Sequence, residues 1–450
     1  MTDATGPLQA QLDARPMSAL QWRVVALCWL VNILDGFDLL AISFAAPAIA
    51  KAWQLGPQTL GIVFSAGLLG MTVGSFLLGP AADRFGRRRT IILATAVLGL
   101  STLATAGANG VGQLMALRAV TGLAIGALLP SLNTLVAEYT PDRRRNLAIS
   151  FMHLGYPVGG IAGGFLASQI IPSTGWQGVF WVGGLFTLAT VPVLLLGLPE
   201  SLHYLLRRGG PPALRSADRI AGRLGIDLRA MPASTAASEA SGIRQVLRKG
   251  WLMPGFALWS CFFLGNLTLY FLLNWTPTVL VEAGLPTEQA IRAGMLLNLG
   301  GGLGMMSLGY LSARWPMHPM MSGFFVLGGL LIMALGQASR VVDLVFALTV
   351  LAGFFSLGGL IGLYSLAARL YPDSARASGV GLALGAGRLG AILGPYAGGV
   401  LISLGWPMGQ YFALLALPLL AAAVIVWRVR PPLPLPESRG AGRRIPAESP

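Results

Sequence analysis

The sequence predicts an all-α membrane protein: twelve transmembrane helices in two pseudo-symmetric bundles of six. Composition, the number of apolar segments and an internal repeat support this fold class. Of the 450 residues, 54% are hydrophobic and only 11% are charged, whereas soluble domains carry about 25% charged residues. The 60 glycines suit helices that pack closely in lipid. The composition therefore indicates a polytopic membrane protein.

Apolar segments long enough to cross a bilayer, about 17–25 residues each, occur twelve times. In chain order they are 22–49, 60–81, 90–108, 113–137, 146–170, 178–198, 252–280, 291–312, 320–338, 342–368, 377–403 and 409–428. A basic stretch rich in Pro, Ala and Ser, 199–250, separates six from six. The sequence thus predicts a tail (1–21), a first bundle (22–198), a central loop (199–250), a second bundle (251–428) and a tail (429–450).

The basic residues predict how the chain is oriented. A net charge of +14 is compatible with nucleic-acid binding, but these residues lie in short loops between apolar segments. Most of the 31 Lys and Arg residues occupy the two tails or loops that follow even-numbered segments. The exceptions in odd-numbered loops are Lys51, Arg292 and Arg340. The positive-inside rule then predicts an inner (plasma) membrane protein with both termini in the cytoplasm and no nucleic-acid partner.

An internal repeat relates the two halves. "EYTPDRRRNLAISFMHLGYPVGGIAGGFL" from Glu138 aligns with "RLYPDSARASGVGLALGAGRLGAILGPYAGGVL" from Arg369, about half the chain later. Asp142 then meets Asp373, and the glycines that follow stay in register. Duplicated helical halves are typical of secondary transporters, whose substrate site lies between the repeats.

The segment "GPAADRFGRR", from Gly79 to Arg88, resembles the G-x-x-x-D-R-x-G-R-R signature of the major facilitator superfamily. The matching segment of the second half, "GYLSARWPM" from Gly309, lacks the aspartate. Further segments resemble the aromatic acid:proton symporter family of that superfamily: "DGFD", "RAVTGLAIGALLPSLNTLVAEYTPDRRR", "LPESLHYLL", "NWTPTVL" and "GRLGAILGP". The resemblance implies a major facilitator fold and proton-coupled uptake of a benzoate-like acid, such as a hydroxybenzoate or protocatechuate.

Two acids, Asp35 and Asp38, lie in the first apolar segment. A charge at mid-bilayer costs at least about 2.5–3.5 kcal/mol on insertion scales, so its presence needs a partner or a function. Two acids one helical turn apart repel each other in a low dielectric. We therefore expect at least one of them to carry the coupling proton, and the resemblance implies the same role. The alternatives are a structural ion pair with Arg118 or Arg388, or an acid near the outer end of the segment that reaches water.

Two arginines also lie inside apolar segments. Arg388, in segment 11, has Gly387 and Gly390 as small neighbours, and a planar guanidinium matches a carboxylate with two parallel hydrogen bonds. We predict that Arg388 binds the substrate carboxylate; the alternative is a contact that locks the halves together. Arg118 is predicted to tune the acids or to meet the substrate, unless it reaches the membrane interface as long basic side chains do.

Two further groups complete the predicted sites. By resemblance, a gating network at the cytoplasmic surface comprises Asp83, Arg84, Arg87, Arg88 and Glu138; the alternative is a solvated basic loop. Candidate walls and polar groups of the substrate site are Phe37, Tyr270, Asn274, Trp275, Asn298 and Tyr364. Glu200, which precedes a short predicted helix, is expected to cap that helix.

The sequence contains no catalytic Ser/His/Asp set, metal cluster or nucleotide-binding loop, and we predict no enzyme activity and no cofactor. The expected partners are a small aromatic acid, protons and the lipid bilayer, and the chain is predicted to act as a monomer. Cys28 and Cys261 are expected to be free, buried thiols. Two alternatives remain open: a proton-coupled transporter of another organic anion, and a drug/proton antiporter, since Asp35 and Asp38 would also suit a cationic substrate.

Overall fold

The structure is a computed structural model that describes residues 5–228, 246, 249–312, 314–338, 341–371 and 373–430. Its helices are α1 (Thr5–Asp13), α2 (Ala19–Trp53), α3 (Pro57–Phe85), α4 (Arg87–Ala106), α5 (Val111–Tyr139), α6 (Asp142–His153), α7 (Gly155–Gly197), α8 (Leu202–Arg208), α9 (Pro211–Leu224), α10 (Lys249–Glu282), α11 (Thr287–Leu311), α12 (Met317–Gln337), α13 (Val342–Leu370), α14 (Asp373–Ser403) and α15 (Met408–Ile425). Arg340, most of the predicted C-terminal tail and part of the predicted central loop lie outside these ranges.

The helices provide twelve membrane crossings. Ten helical stretches are long and apolar enough to cross a membrane. One of them, Asp142–Gly197, has 56 residues, which at about 1.5 Å per residue is more than twice a bilayer core. The chain turns within it at Gly175, where φ is +72°, so this stretch supplies two crossings. Helix α11, with 25 residues, supplies the last, and the predicted twelve-helix fold is confirmed.

Helix α1 and the even-numbered loops of the first half lie together on one face of the molecule. The Asp142 backbone N–H donates to the Asp13 carboxylate at 2.6 Å, next to helix α1, and the Arg87 guanidinium donates to the Ser201 hydroxyl at 3.0 Å. In the second half, His318 lies 2.7 Å from the carbonyl oxygen of Val429. We call this side the basic face and the other side the opposite face.

The two halves join near the opposite face and separate toward the basic face. Buried side chains of the first half near the opposite face, including Phe44, Phe64 and Phe180, form one continuous core with the whole second half. Buried side chains of the first half near the basic face, such as Ile91 and Leu135, form a second core with helices α1, α8 and α9. The molecule is therefore sealed at the opposite face.

Short helices cover the basic face of the first half. Helix α9 buries one stripe of small residues, Ala213, Ala217 and Ala221, against the bundle, and helix α1 packs beside it through Leu8 and Leu12. Part of the predicted central loop is thus helical and packs against the first half.

Candidate functional site

Helix α2 places both acids at the centre of the molecule. The helix begins after Ser18, which forms a capping box with Gln21. Asp35 lies near the middle of its 35 residues, and Asp35 and Asp38 are each 1% exposed. Between them, Gly36 lets helix α7 approach closely, because a Cβ at this position would overlap the backbone of Tyr156. This close crossing fixes the height of both acids relative to helix α7.

Asp38 forms an ion pair inside the first half. Its Oδ2 lies 3.3 Å from Nη1 of Arg118 on helix α5, and the side chains of Asp38 and Arg118 are 1% and 4% exposed. The hydroxyl of Thr102 on helix α4 donates to the other oxygen of Asp38. Asp38 therefore ties helices α2, α4 and α5 together, which is the structural alternative that the sequence left open.

Arg118 is held from several sides. Its Nη2 donates to the hydroxyls of Thr105 at 2.9 Å and Thr121 at 3.1 Å, and its guanidinium lies 5.2 Å from the ring centre of Phe180. A small cavity lined by Asp38 and Arg118 extends to Asn274 of the second half. Arg118 thus faces the space between the halves but uses its charge on Asp38.

Asp35 and Arg388 face each other across the two halves without an ion pair. Asp35 interacts electrostatically with Arg388 of helix α14, yet its Oδ1 has no hydrogen-bond partner among the described residues. Tyr270, on helix α10, interacts electrostatically with Arg388. Within the described part of the chain, neither charge belongs to a salt bridge. The two opposed charges therefore remain available to a ligand and a proton.

The sequence analysis did not select Tyr156. Its buried hydroxyl has no hydrogen-bond partner among the described residues, and it interacts electrostatically with Tyr270, Asp35 and Arg388. One signal was present in the sequence: the internal repeat aligns its neighbour Pro157 with Arg388. Tyr156 joins the polar cluster between the halves.

Three predicted residues lie around this cluster. Tyr364 is 45% exposed, interacts electrostatically with Arg388 and packs edge-on against Phe262. Asn274 accepts a hydrogen bond from the Ser43 hydroxyl of the first half at 3.3 Å. Asn298 is 1% exposed and carries an unpartnered oxygen. Tyr364 and Tyr270 thus lie near Arg388. Asn298 packs against Gly160 of helix α7, and Asn274 borders the cavity that contains Asp38 and Arg118.

Phe37 and Trp275 occupy other places than predicted. The Phe37 ring packs against Gly163 and Gly183 of helix α7, inside the first half. Trp275 is fully buried; its indole donates to the Pro395 carbonyl at 2.8 Å, and its ring centre lies 5.4 Å from that of Phe64. The structure does not place either ring in the substrate space: one packs helices, and the other seals the halves.

The predicted gating residues form contacts within the first half. Arg87 bridges Asp83, at 3.2 Å, and Glu138. Arg88 donates to the carbonyls of Leu198 at 2.7 Å and Leu195 at 2.5 Å. Arg84 is exposed and lies 5.8 Å from the ring centre of Phe85. Within the described part of the chain, these partners all belong to the half that carries the motif, so no contact of these residues closes the network across the halves in this conformation.

Glu200 lies at the start of helix α8, as expected, where it accepts from the Ser201 backbone N–H at 3.0 Å, and it also caps a second helix. Its carboxylate accepts from the backbone N–H of Arg88 at 2.9 Å, at the start of helix α4, while the Ser201 side chain caps helix α8. Gly86, with φ of +100°, makes the turn before helix α4, where a side chain would meet Glu200. The glycine of the motif thus lets this carboxylate reach the helix end.

His203 lies beside the gating network, outside the membrane-spanning segments. Its Nδ1 is 3.6 Å from Glu138, which favours a charged imidazole. Burial, followed by the charges of Arg87 and Arg145, lowers the pKa of His203 below its ordinary value of 6.5. Burial and the two cations outweigh Glu138, because that carboxylate already pairs with Arg87.

The described residues contain no group of His, Cys, Asp or Glu side chains that could hold a metal ion. Cys28 and Cys261 are free and buried, as predicted. The site therefore consists of charged, hydroxyl and amide groups, which can bind an anion and exchange a proton.

Two repeated six-helix halves that enclose opposed charges define a secondary transporter. The family model described as Major Facilitator Superfamily matches residues 28–339 and 318–448, and the chain belongs to this family of membrane transporters rather than to an enzyme family.

Individual relatives show which transporters of this family the chain resembles. The chain is 38% identical to the 4-hydroxybenzoate transporter PcaK of Pseudomonas aeruginosa, over 93% of this chain and 95% of that protein. It is 36% identical to the gallate transporter of Pseudomonas putida, over 94% of this chain and 95% of that protein. These relatives confirm the resemblance to the aromatic acid transporters of the superfamily.

A solved structure shows the same fold. The partially occluded inward open conformation of the xylose transporter XylE from E. coli superimposes with a TM-score of 0.71 at 18% identity, over 94% of this chain and 100% of that chain. The predicted major facilitator fold is confirmed.

Proposed function

We propose that this protein imports an aromatic carboxylate of the hydroxybenzoate or protocatechuate type together with protons, by opening alternately to the two sides of the inner membrane. The observation that carries the proposal is the pair of unmatched charges, Asp35 and Arg388, facing each other from different halves. The named relatives transport 4-hydroxybenzoate and gallate, which supports an aromatic acid as the substrate.

The substrate anion and the proton bind together because both interact with the pair Asp35 and Arg388. In the empty site, the carboxylate of Asp35 balances the charge of Arg388. A substrate carboxylate that binds the Arg388 guanidinium takes over this balance and brings a second negative charge near Asp35, which then takes up a proton. By linkage, the proton favours the anion as strongly as the anion favours the proton. Substrate and proton therefore enter as a unit.

The charges of the empty and the loaded site predict that one proton enters with each monoanion. The empty site holds Arg388 and ionised Asp35, and the loaded site holds Arg388, the substrate anion and protonated Asp35. Both sets are neutral, and a neutral set costs least when it is enclosed in a low dielectric. In this scheme Asp38 stays paired with Arg118 and contributes helix packing. Net transport then moves no charge, and the membrane potential does not drive it.

The basic face is proposed to lie in the cytoplasm, so the conformation described here is open toward the cell interior. For the return to the outward-open state, we propose that Asp83, Arg84, Arg87, Arg88 and Glu138 reach the second half when the basic face closes. Their present contacts within the first half leave Arg84 and Asp83 exposed for such contacts.

Uptake into proteoliposomes tests the proposal. Labelled 4-hydroxybenzoate, protocatechuate, gallate and benzoate are offered under an imposed pH gradient, alkaline inside, or an imposed potassium diffusion potential, negative inside. We expect accumulation under the pH gradient, its loss with a protonophore, and little accumulation under the potential alone. Uptake that is indifferent to the protonophore would reject symport. Export of cationic drugs against a proton gradient would instead support the antiporter alternative.

Arg388→Lys tests the carboxylate anchor in the same assay. Lysine keeps the charge but cannot form two parallel hydrogen bonds, so we expect the apparent KM for the acid to rise about tenfold, equivalent to roughly 1.4 kcal/mol. Arg292→Lys is the matched control, because Arg292 forms an exposed pair with Glu288. An unchanged KM in Arg388→Lys would remove this residue from the site.

A further inference from the structure

The amide of Asn298 presents a buried acceptor without a donor. Asn298 is 1% exposed, its Nδ2 donates to the Gly294 carbonyl at 2.9 Å, and its Oδ1 has no partner among the described residues. A flipped amide would set its oxygen against the Gly294 carbonyl and lose this bond, so the bond fixes which atom is free. The free atom can accept a hydrogen bond and cannot donate one.

This acceptor points across the halves at helix α7. A Cβ at Gly160 would lie 3.0 Å from Cγ and 3.1 Å from Oδ1 of Asn298, so the amide packs directly against the bare backbone of helix α7. Gly160 lies one turn from Tyr156, about 6 Å along helix α7. The Tyr156 hydroxyl, also without a partner, interacts electrostatically with Arg388. The Asn298 amide therefore meets helix α7 one turn from Tyr156, whose hydroxyl interacts electrostatically with Arg388.

Asn274 serves as a comparison, because both polar atoms of its amide have hydrogen-bond partners. The Nδ2 of Asn274 donates to the Tyr270 carbonyl at 2.7 Å, as Asn298 does to Gly294, but its Oδ1 receives the Ser43 hydroxyl at 3.3 Å. Asn274 therefore needs no ligand, whereas Asn298 lacks one donor. A buried polar atom without a partner costs about 1–3 kcal/mol, which a ligand can offset by donating to it.

We propose that Asn298 selects substrates that carry a ring hydroxyl. Its Oδ1 accepts a hydrogen bond from an aromatic hydroxyl of a substrate whose carboxylate is held at Arg388, and the Tyr156 hydroxyl lies beside the ring as a second hydrogen-bonding group. This inference rests on the proposed function and assigns the preference for a hydroxylated ring to one residue of the site. Benzoate leaves the acceptor unmatched, and a site built for a hydroxyl discriminates strongly against the analogue without it.

The test compares acids that differ only at the hydroxyl. In wild-type proteoliposomes, kcat/KM for 4-hydroxybenzoate should exceed that for benzoate by at least about tenfold. Asn298→Leu removes the acceptor with little change in size, and the ratio should fall toward one through loss of the hydroxylated substrate. Asn274→Leu is the matched control: whatever its total uptake, the ratio should stay at the wild-type value, because Asn274 has no free acceptor.

A second variant guards against a folding defect. In Asn298→Thr the new hydroxyl can donate to the carbonyl four residues back, as Thr276 donates to Leu272, so the helix keeps the bond while the amide oxygen is lost. The ratio should again fall. If neither variant reaches the membrane, wild-type uptake of 4-methoxybenzoate tests the role of Asn298 instead. Its methoxy oxygen carries no hydrogen and cannot donate to Asn298, so its kcat/KM should resemble that of benzoate.

The outcomes separate this inference from the proposed function. A wild-type ratio near one, a wild-type ratio retained in active Asn298 variants, or 4-methoxybenzoate transported as well as 4-hydroxybenzoate would each overturn the role of Asn298. If the wild-type protein takes up none of the aromatic acids, the proposed function itself is wrong.

Discussion

Asp35 and Asp38 lie one turn apart on helix α2, yet their side chains have different surroundings. Asp38 has a cation at 3.3 Å and a threonine donor, whereas Asp35 keeps a free oxygen and faces Arg388 in the other half. A buried acid with partners stabilises the packing of its neighbours, and a buried acid without them is available for proton exchange. Their substitutions should therefore have different effects.

Asp38→Asn should destabilise the protein by about 3–5 kcal/mol, because it leaves Arg118 buried and uncompensated. Asp35→Asn leaves Arg388 without its balancing charge but breaks no direct ion pair, so its loss of stability should be clearly smaller. Denaturant unfolding in detergent micelles measures both changes. The double variant Asp38→Asn/Arg118→Gln is the control, and its loss should be smaller than the sum of the two single losses. Equal losses for Asp35→Asn and Asp38→Asn would contradict this assignment.

His203 predicts how stability depends on pH. Its pKa is lowered below 6.5 by burial and by Arg87 and Arg145, so below that pH the unfolded chain binds a proton that the folded chain resists. Stability should fall as the pH drops below 6.5, and His203→Gln should weaken this fall. Thermal unfolding at pH 7.5 and pH 5.5 measures the effect, with His318→Gln as the matched control. A fall of the same size in His203→Gln would show that other groups cause it.

The charged residues of the site could be predicted from the sequence, because a charge inside an apolar segment is costly and therefore stands out. The roles of Tyr156 and of the free oxygen of Asn298 could not be predicted, because neutral polar side chains are common in such segments. Only the fold determines whether they have hydrogen-bond partners. The packing of Phe37 against helix α7 could not be predicted for a related reason. Its role depends on which neighbouring helix its side of α2 meets, and the residues around it do not specify this.

At the scale of helices, the apolar segments predicted the crossings well but not their ends. Helix α2 extends from Ala19 to Trp53, beyond the apolar segment 22–49, since polar residues continue the helix into the interface. The helical continuation across Gly175 and the packing of α1 against α9 were not visible in the hydrophobic pattern. Both depend on tertiary contacts and backbone geometry rather than on local polarity.

The crossing of helices α2 and α7 depends on Gly36. A methyl group at this position would overlap the backbone of Tyr156, so Gly36→Ala should push the helices apart, cost about 1–3 kcal/mol and strongly reduce uptake by moving Asp35. The measurements are detergent unfolding and initial uptake rate. Gly112→Ala is the matched control, because a Cβ there meets nothing within 4 Å. Equal effects of the two substitutions would contradict the proposed role of this crossing.

At the scale of the whole molecule, transport requires the seal at the opposite face to open. Ser43 and Asn274 meet across this seal at 3.3 Å. With Cys28 and Cys261 replaced by Ala, Ser43→Cys/Asn274→Cys joined by a short thiol cross-linker should lose uptake. Each single cysteine variant should keep its own rate after the same treatment.

A cleavable cross-linker provides the control for this experiment, since a reducing agent should restore the rate of the double variant. Mass spectrometry measures the fraction of molecules that are linked. Full uptake by a fully linked protein would show that these residues need not separate during transport, and alternating access at this seal would have to be abandoned.

The most direct test of the central claim is Asp35→Asn in proteoliposomes. Asparagine imitates the protonated acid, so the loaded site stays neutral, but the empty site keeps the unbalanced charge of Arg388 and cannot return. The variant should exchange labelled for unlabelled 4-hydroxybenzoate across the membrane, yet show no accumulation driven by a pH gradient and no substrate-induced proton uptake. Accumulation driven by the gradient at the wild-type level in Asp35→Asn would contradict the account.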